Sequence, residues 1–326
     1  MTANPWPAMP RRLAEAEVGY GEQVAQGGSA RVFAVPGERR SLLYKKYHER
    51  HGGADLDRLV EVYAGLDDAA AASVRERLAW PVAVVRDGED VVGALVVRAG
   101  PAFHVALPDG RTRVRDLNFL LYEKRAERLG VRRATDRQKV ELLDRLVEAL
   151  SWLDDRGFVH EDLAAHNVLW ALDPPSVFVL DCDSLRAVAE PGDQPLYTTV
   201  DWTDPRVLSG EVGRPDRAST SYVLGLLAAR TLVSPYWHPG DDLPADRLPA
   251  ALAPLVARAA GAAGDRPSLA EWGRALDRAL PQTRGAVVEP EAAGDPAAVR
   301  RADRVSFALG LLLGACVAIL LLARFV

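Results

Sequence analysis

An α+β chain in two lobes, the first β-rich and the second helical, with one membrane-spanning helix after them, follows from three patterns. From Val24 to Arg98, short apolar runs are separated by small-residue and Asp-Gly turns, the mark of hairpins. From Asp136 onward, apolar residues recur at helical spacing. From Val305 to Ala323, nineteen residues pass without a charge. As a helix that run would span about 28 Å, close to the thickness of a bilayer's hydrocarbon core. The 326 residues accordingly divide into a lead-in (1–18), a small lobe (19–98), a large lobe (99–280), a flexible linker (281–304) and a transmembrane helix (305–326).

The elements follow in order. Val24–Val35 reads as strand, turn and strand, with Gly27, Gly28 and Ser29 at the tip. Ser41–Tyr47 is a third strand, whose alternation puts Leu43 and Lys45 on one face and Tyr44 and Lys46 on the other. A helix is expected from about Asp55 to Leu66, carrying Glu61. Trp80–Arg98 makes two strands around Asp87-Gly88, and Ala99-Gly100-Pro101 breaks the pattern between the lobes. Arg111–Gly130 is charged and without a clear period. Asp136–Arg156 is helical, with Val140, Leu143, Leu146, Val147, Leu150 and Leu153 on one face. Thr135 or Asp136 is placed to cap its start, and Gly157 ends it. A hairpin spans Val168–Leu180 about Asp173-Pro174-Pro175, and Tyr222–Leu232 is an apolar helix.

Composition narrows the partners. The net charge is −5 with no basic block, so nucleic acid is not implied. The two cysteines, Cys182 and Cys316, fall in a turn and in the lipid-like run, which excludes a structural disulfide and fits a reducing cytosol. MTANPWPAMPRR has no apolar stretch of secretory-signal length. Arg300, Arg301 and Arg304 precede the uncharged run and only Arg324 follows it, which places the body of the chain on the cytoplasmic side of the cell membrane. Gly310 and Gly314 form a G-x-x-x-G step at which two such helices could meet as a homodimer.

The chemistry concentrates in FVHEDLAAHNVLW, Phe158–Trp170, and VFVLDCDS, Val177–Ser184. His160, Asp162, Asn167 and Asp181 come in the order and spacing that let one loop and one following turn reach both a hydroxyl and a metal ion. Phosphoryl transfer needs little else: a carboxylate to orient the attacking hydroxyl, an amide and a carboxylate for Mg²⁺, and a cation on the nucleotide phosphates.

These residues resemble the protein-kinase superfamily, whose catalytic loop is H-R-D-L-x-x-x-N and whose metal-binding turn is D-F-G. The resemblance extends over roughly Gly19–Leu280 and implies a protein-kinase-like fold that uses ATP and Mg²⁺ to phosphorylate serine or threonine hydroxyls of a protein substrate. On this resemblance Lys45, or failing it Lys46, holds the phosphates and Glu61 orients the lysine. Gly27, Gly28, Ser29 and Val32 stand at the glycine-rich lid, and the hinge at Ala99-Gly100-Pro101 meets adenine. Asp162 orients or deprotonates the hydroxyl, Asn167 and Asp181 hold the metal with Asp183 as a further candidate, and His160 supports the loop. Thr199 stands at the threonine that backs the catalytic carboxylate, and Pro205 matches the A-P-E segment.

The sequence also departs from that family. Glu161 replaces the arginine that receives an activating phosphate, so activation through a phosphate on Thr198 or Thr199 is not expected. Ala164 replaces the lysine that neutralises the transferred phosphate, and His166 stands where tyrosine kinases have arginine. Asp183 turns D-F-G into D-C-D. Thr220 replaces an aspartate of the central helix. Arg206 takes the place of the A-P-E glutamate and would repel Arg266, its usual partner, unless Asp204 substitutes. Two other readings therefore stay open: a nucleotide-binding pseudokinase scaffold, and a small-molecule phosphotransferase using H-x-D and D-x-D.

Overall fold

The computed structural model describes residues 6, 9–51, 53–190, 192 and 195–283. The expected transmembrane helix, with Gly310 and Gly314, lies outside the described residues, as does nearly all of the expected linker. Among the described residues no helix is long and apolar enough to cross a membrane.

The architecture is mixed α+β, with ten α-helices among the described residues. The N-terminal third begins with β1 (Arg12–Ala14), α1 (Glu15–Val18), β2 (Gln23–Gln26), β3 (Ala30–Ala34) and β4 (Leu42–His51). It continues through α2 (Ala54–Ala64), α3 (Asp68–Arg77), β5 (Pro81–Asp87) and β6 (Asp90–Val97). Its six strands form one sheet in the order β1-β5-β6-β4-β3-β2. All neighbours are antiparallel except β1, which runs parallel to β5. That pairing corrects the reading of residues 1–18 as a lead-in. Leu13 and Val18 stand in a polar stretch too short to register as a period, yet both are buried in the core, as is Trp6.

The rest is mostly helical. A short hairpin, β7 (His104–Ala106) with β8 (Thr112–Val114), leads to α4 (Asn118–Leu121) and α5 (Glu123–Arg128), filling the stretch that had no clear period. Helix α6 (Asp136–Asp154) carries Val140, Leu142, Leu143, Leu146, Val147, Leu150 and Leu153 inward. Its start is fixed by Thr135, whose hydroxyl accepts from Gln138 N while the Gln138 side chain accepts from Thr135 N. Gly157, at φ 74°, lets the chain turn from its end into β9 (Phe158–His160). Then come β10 (Val168–Leu172), β11 (Pro175–Val179) and β12 (Leu185–Ala187). The hairpin expected at Val168–Leu180 is present as β10 and β11, paired from Val168↔Val179 to Leu172↔Pro175. Strand β12 folds back on β9, bringing Leu185 opposite His160.

Helices α7 (Pro205–Leu208), α8 (Arg217–Leu232), α9 (Ala253–Ala260) and α10 (Leu269–Ala279) complete the body. Helix α8 starts earlier than its apolar run suggests, because Asp216 caps it by accepting from Ser219 N at 2.8 Å. It is buried almost all round, as a central helix must be. The core passes without a break from the sheet through Trp80, Phe158, Trp170 and Phe178 to Trp272.

Candidate active site

Strand β4 delivers the lysine. Its alternation holds: Tyr44 and Lys46 face one way, onto Glu15, while Lys45 faces the other, toward the loop and turn of the helical part. Lys46 is thereby spent on Glu15 and the Tyr20 ring, which leaves Lys45 as the site lysine. Strand β6 crosses close behind it. A Cβ at Gly93 would collide with the Lys45 carbonyl and the Tyr44 ring, so glycine is needed there for the two strands to meet.

The Lys45 ammonium is buried and donates to Asp181 Oδ1 and Asp183 Oδ1, both at 2.9 Å. Burial alone would drive the amine toward its neutral form, but the two carboxylates outweigh it and hold the lysine charged, with its pKa above the ordinary value. Burial likewise opposes the Asp181 carboxylate, and Lys45 keeps that group below the usual range. Asp183 is 2 % exposed, and its second oxygen accepts from the Tyr47 hydroxyl at 2.8 Å.

Glu61 is not part of this cluster. Helix α2 buries Leu56, Leu59, Val60 and Tyr63. The face that carries Glu61 points to solvent, where it pairs with Arg11. Helical periodicity decides this: once Leu59, Val60 and Tyr63 are inside, position 61 is turned away from them. The carboxylate that pairs with Lys45 in its place is Asp183.

The H-x-D-x-x-x-x-N loop folds on itself. Asn167 Nδ2 donates to Asp162 O at 2.8 Å and to Asp162 Oδ2 at 3.2 Å. Asp162 Oδ1 accepts from both Thr199 N and Thr199 Oγ1 at 2.8 Å, which ties the later segment to the loop. The Leu180 peptide is clamped from two sides: its N–H donates to Asn167 O at 2.8 Å and its carbonyl accepts from His160 Nε2 at 2.9 Å. His160 thus supports the loop, as expected, and Asp181 follows directly from the clamped peptide. His166 lies 3.9 Å from Asp162 Oδ2, on the exposed side.

At the D-C-D turn, Asp181 takes a left-handed conformation, φ 54°, and the Ser184 hydroxyl donates to its carbonyl at 2.7 Å. Cys182 is wholly buried, and its thiol donates to Val179 O at 3.4 Å. The middle residue therefore anchors the turn and the two carboxylates flank it.

Among the described residues no group of three or more His, Cys, Asp or Glu is arranged to hold a metal ion. A Mg²⁺ ion needs fewer protein ligands when phosphates complete its shell. Asn167, whose Nδ2 is taken by Asp162 and whose Oδ1 remains, and Asp181, with 41 % of its side chain exposed, fit that role. Asp183 does not fit: one oxygen faces Lys45, the other faces Tyr47, and its side chain is nearly sealed from solvent. The expectation that Asp183 binds metal is corrected accordingly.

At the other rim, β2 and β3 form a tight hairpin whose tip is Gly27-Gly28-Ser29, with Gly27 N donating to Ala30 O at 2.9 Å. Val32 pairs directly with Lys45 across β3 and β4, placing the tip on the strand pair that carries the lysine. A Cβ at Gly28 would meet nothing within 4 Å, so the protein's own packing does not require glycine there.

Sequence reasoning missed Tyr47, although it stands two residues beyond Lys45 on the same strand face. It also left Glu161 without a partner. Glu161 is buried, accepting from Arg186 Nε at 2.7 Å and Arg214 Nη1 at 2.6 Å. No family model and no curated protein matches the chain.

Proposed function

We propose that the chain is a protein-kinase-like phosphotransferase that moves the γ-phosphoryl group of ATP to serine or threonine hydroxyls of a protein substrate. One observation carries the reading: a buried lysine on the sheet meets an aspartate on the turn that follows an H-x-D-x-x-x-x-N loop, and the aspartate of that loop is held in place by Thr199. The fold on this reading is two-lobed, with the cleft between the sheet and the helical body.

The bound nucleotide supplies the phosphoryl group and its metal supplies charge neutralisation. Lys45 binds phosphate oxygens. Asn167 and Asp181 hold Mg²⁺. Asp162, with Oδ1 taken by Thr199 and Oδ2 toward Asn167, orients the acceptor hydroxyl and accepts its proton. The Gly27–Ser29 tip closes over the phosphates through backbone N–H groups, for which small residues leave room.

The test is ATP-dependent phosphate transfer by the full chain. Asp162→Asn keeps the shape of the side chain and is expected to lower turnover by about a hundredfold or more, the ordinary contribution of a positioned base. Nucleotide affinity should change little. Equal turnover in wild type and Asp162→Asn would overturn the assignment.

A second reading has one observation in its favour. Asp181 Oδ1 is engaged by Lys45 at 2.9 Å, which leaves one carboxylate oxygen for a metal ion. A pseudokinase scaffold would bind nucleotide and leave the pair closed. Nucleotide binding without transfer, in wild type, selects it.

The proposal includes attachment to the cytoplasmic face of a membrane through residues 305–326, read from the sequence alone. Deleting that segment is expected to move the protein from the membrane pellet to the soluble fraction on cell fractionation. A truncated chain that still sediments with membranes would refute the anchor.

A further inference from the structure

The geometry points to Asp183 and Tyr47 as the positioning residues for Lys45, so that the lysine is held by the same turn that carries Asp181 and not by a helix of the sheet domain. This rests on the nucleotide reading for its consequence, but the placement itself stands on contacts among the protein's own side chains.

Asp183 is buried with its two oxygens divided between two donors, Lys45 Nζ at 2.9 Å and Tyr47 Oη at 2.8 Å. The donors are two residues apart on one face of β4, so the strand presents the ammonium and the phenol together and the carboxylate is gripped across both. The turn beneath is stiff. Asp181 and Asp183 are separated only by the buried Cys182, and Ser184 closes the turn through both its N–H and its hydroxyl onto Asp181 O. The exposed carboxylate and the lysine's anchor therefore move as one body.

Helix α2 is excluded from that task. Of its carboxylates, Glu61 lies on the solvent face against Arg11 and Asp57 pairs with Arg12 and Arg86. The residues it buries are Asp55, Leu56, Leu59, Val60 and Tyr63, with Leu59 O accepting from Trp80 Nε1 at 2.9 Å, whereas the carboxylates that meet Lys45 are Asp181 and Asp183. Helix α2 packs against the Cys182–Ser184 turn and against β12, so it backs the turn that holds the lysine. Any hold of α2 on the lysine is therefore indirect, through the D-C-D turn whose Asp181 and Asp183 meet the ammonium.

Two readouts test the inference on the full chain. The first is the rate at which an amine-reactive ester acylates Lys45, followed by peptide mass spectrometry in the native protein without nucleotide. The second is ATP affinity by calorimetry with Mg²⁺ present. Asp183→Asn is expected to acylate at Lys45 about tenfold faster, because losing one hydrogen bond to the charged group raises the share of molecules in which the amine is undocked and open to the ester. Tyr47→Phe keeps the ring packing, and is expected to raise the rate by a smaller factor and to weaken ATP binding about fivefold through loss of one hydrogen bond to a charged group. Glu61→Gln should move neither readout. Thermal melts run alongside identify any variant that has merely unfolded, and Tyr47→Phe serves if Asp183→Asn does.

Faster acylation in Asp183→Asn or Tyr47→Phe, with Glu61→Gln unchanged, supports the placement even if wild type binds no ATP, a result that would instead defeat the nucleotide reading. Acylation at the wild-type rate in folded Asp183→Asn and Tyr47→Phe overturns the inference, whatever ATP does. A Glu61→Gln rate as high as that of Asp183→Asn also overturns it.

Discussion

Replacing Asp204 with asparagine is expected to remove about 3–5 kcal/mol of folding stability, the usual consequence of taking one partner from a buried ion pair. The Asp204 side chain is wholly buried. One of its oxygens accepts from Arg206 Nη2 at 2.7 Å and Ser219 Oγ at 2.9 Å, and Arg266 Nη1 converges on the same atom. Two arginines that would otherwise repel are thus joined through a single carboxylate. Arg206 would keep Asp216, at 2.8 Å, but Arg266, 5 % exposed, would keep only the carbonyls of Gly261 and Ala218 and the face of Tyr222. Urea denaturation of wild type and Asp204→Asn measures the loss. A midpoint unchanged by the substitution would mean that the cluster stabilises nothing.

The same group sets an acid limb. Burial alone would raise the Asp204 carboxyl, but hydrogen bonds from Arg266 and Arg206 outweigh it and hold the group at about 2. In the unfolded chain an aspartate titrates at about 3.9. Because the folded value is the lower one, the stabilisation is fully present above about pH 4 and is lost as the pH falls toward 2. Wild type should lose stability over that window more steeply than Asp204→Asn, which has no carboxylate there to protonate.

Much of this arrangement was legible in the residues, for a physical reason that differs from site to site. The loop and hairpin from Phe158 to Asp181 were readable because the spacing is local: a few residues fix both Asp162 and Asn167, and apolar runs around Asp173-Pro174 fix the return. Strand alternation put Lys45 and Lys46 on opposite faces, but the choice between them rested on the resemblance until Glu15 and the Tyr20 ring were seen to occupy Lys46. Glu61 failed because the same evidence that made α2 a helix did not say which way it faces, and the answer lies in packing against Trp80 and β5. The role of Asp183 could not be read from spacing, because its partners Lys45 and Tyr47 lie more than a hundred residues away in sequence. The strand at Arg12–Ala14 was missed since three residues carry no period, and only its pairing with Val84–Arg86 makes it a strand.

Glu161 gives the other large effect, and here three substitutions should fall in a set order. Glu161 is buried between Arg186 and Arg214, the first on β12 and the second just before α8, so one carboxylate joins the H-x-D loop to the segment that follows it. Glu161→Gln is expected to cost about 3 kcal/mol. That is the lower end for a broken buried pair, because Arg186 keeps the carbonyls of Ala187, Glu190 and Pro215. Glu161→Arg should be worse, since it sets a third cation among two that have lost their anion. Joining it to Arg186→Glu reverses the pair and should recover part of the loss. Denaturant midpoints rank the variants, and hydrogen exchange at Leu185–Ala187 reports whether β12 has come away from β9. If Glu161→Arg were as stable as wild type, the carboxylate would not be what holds that segment. Order in this segment is expected to come from these ion pairs and to be indifferent to phosphatase treatment.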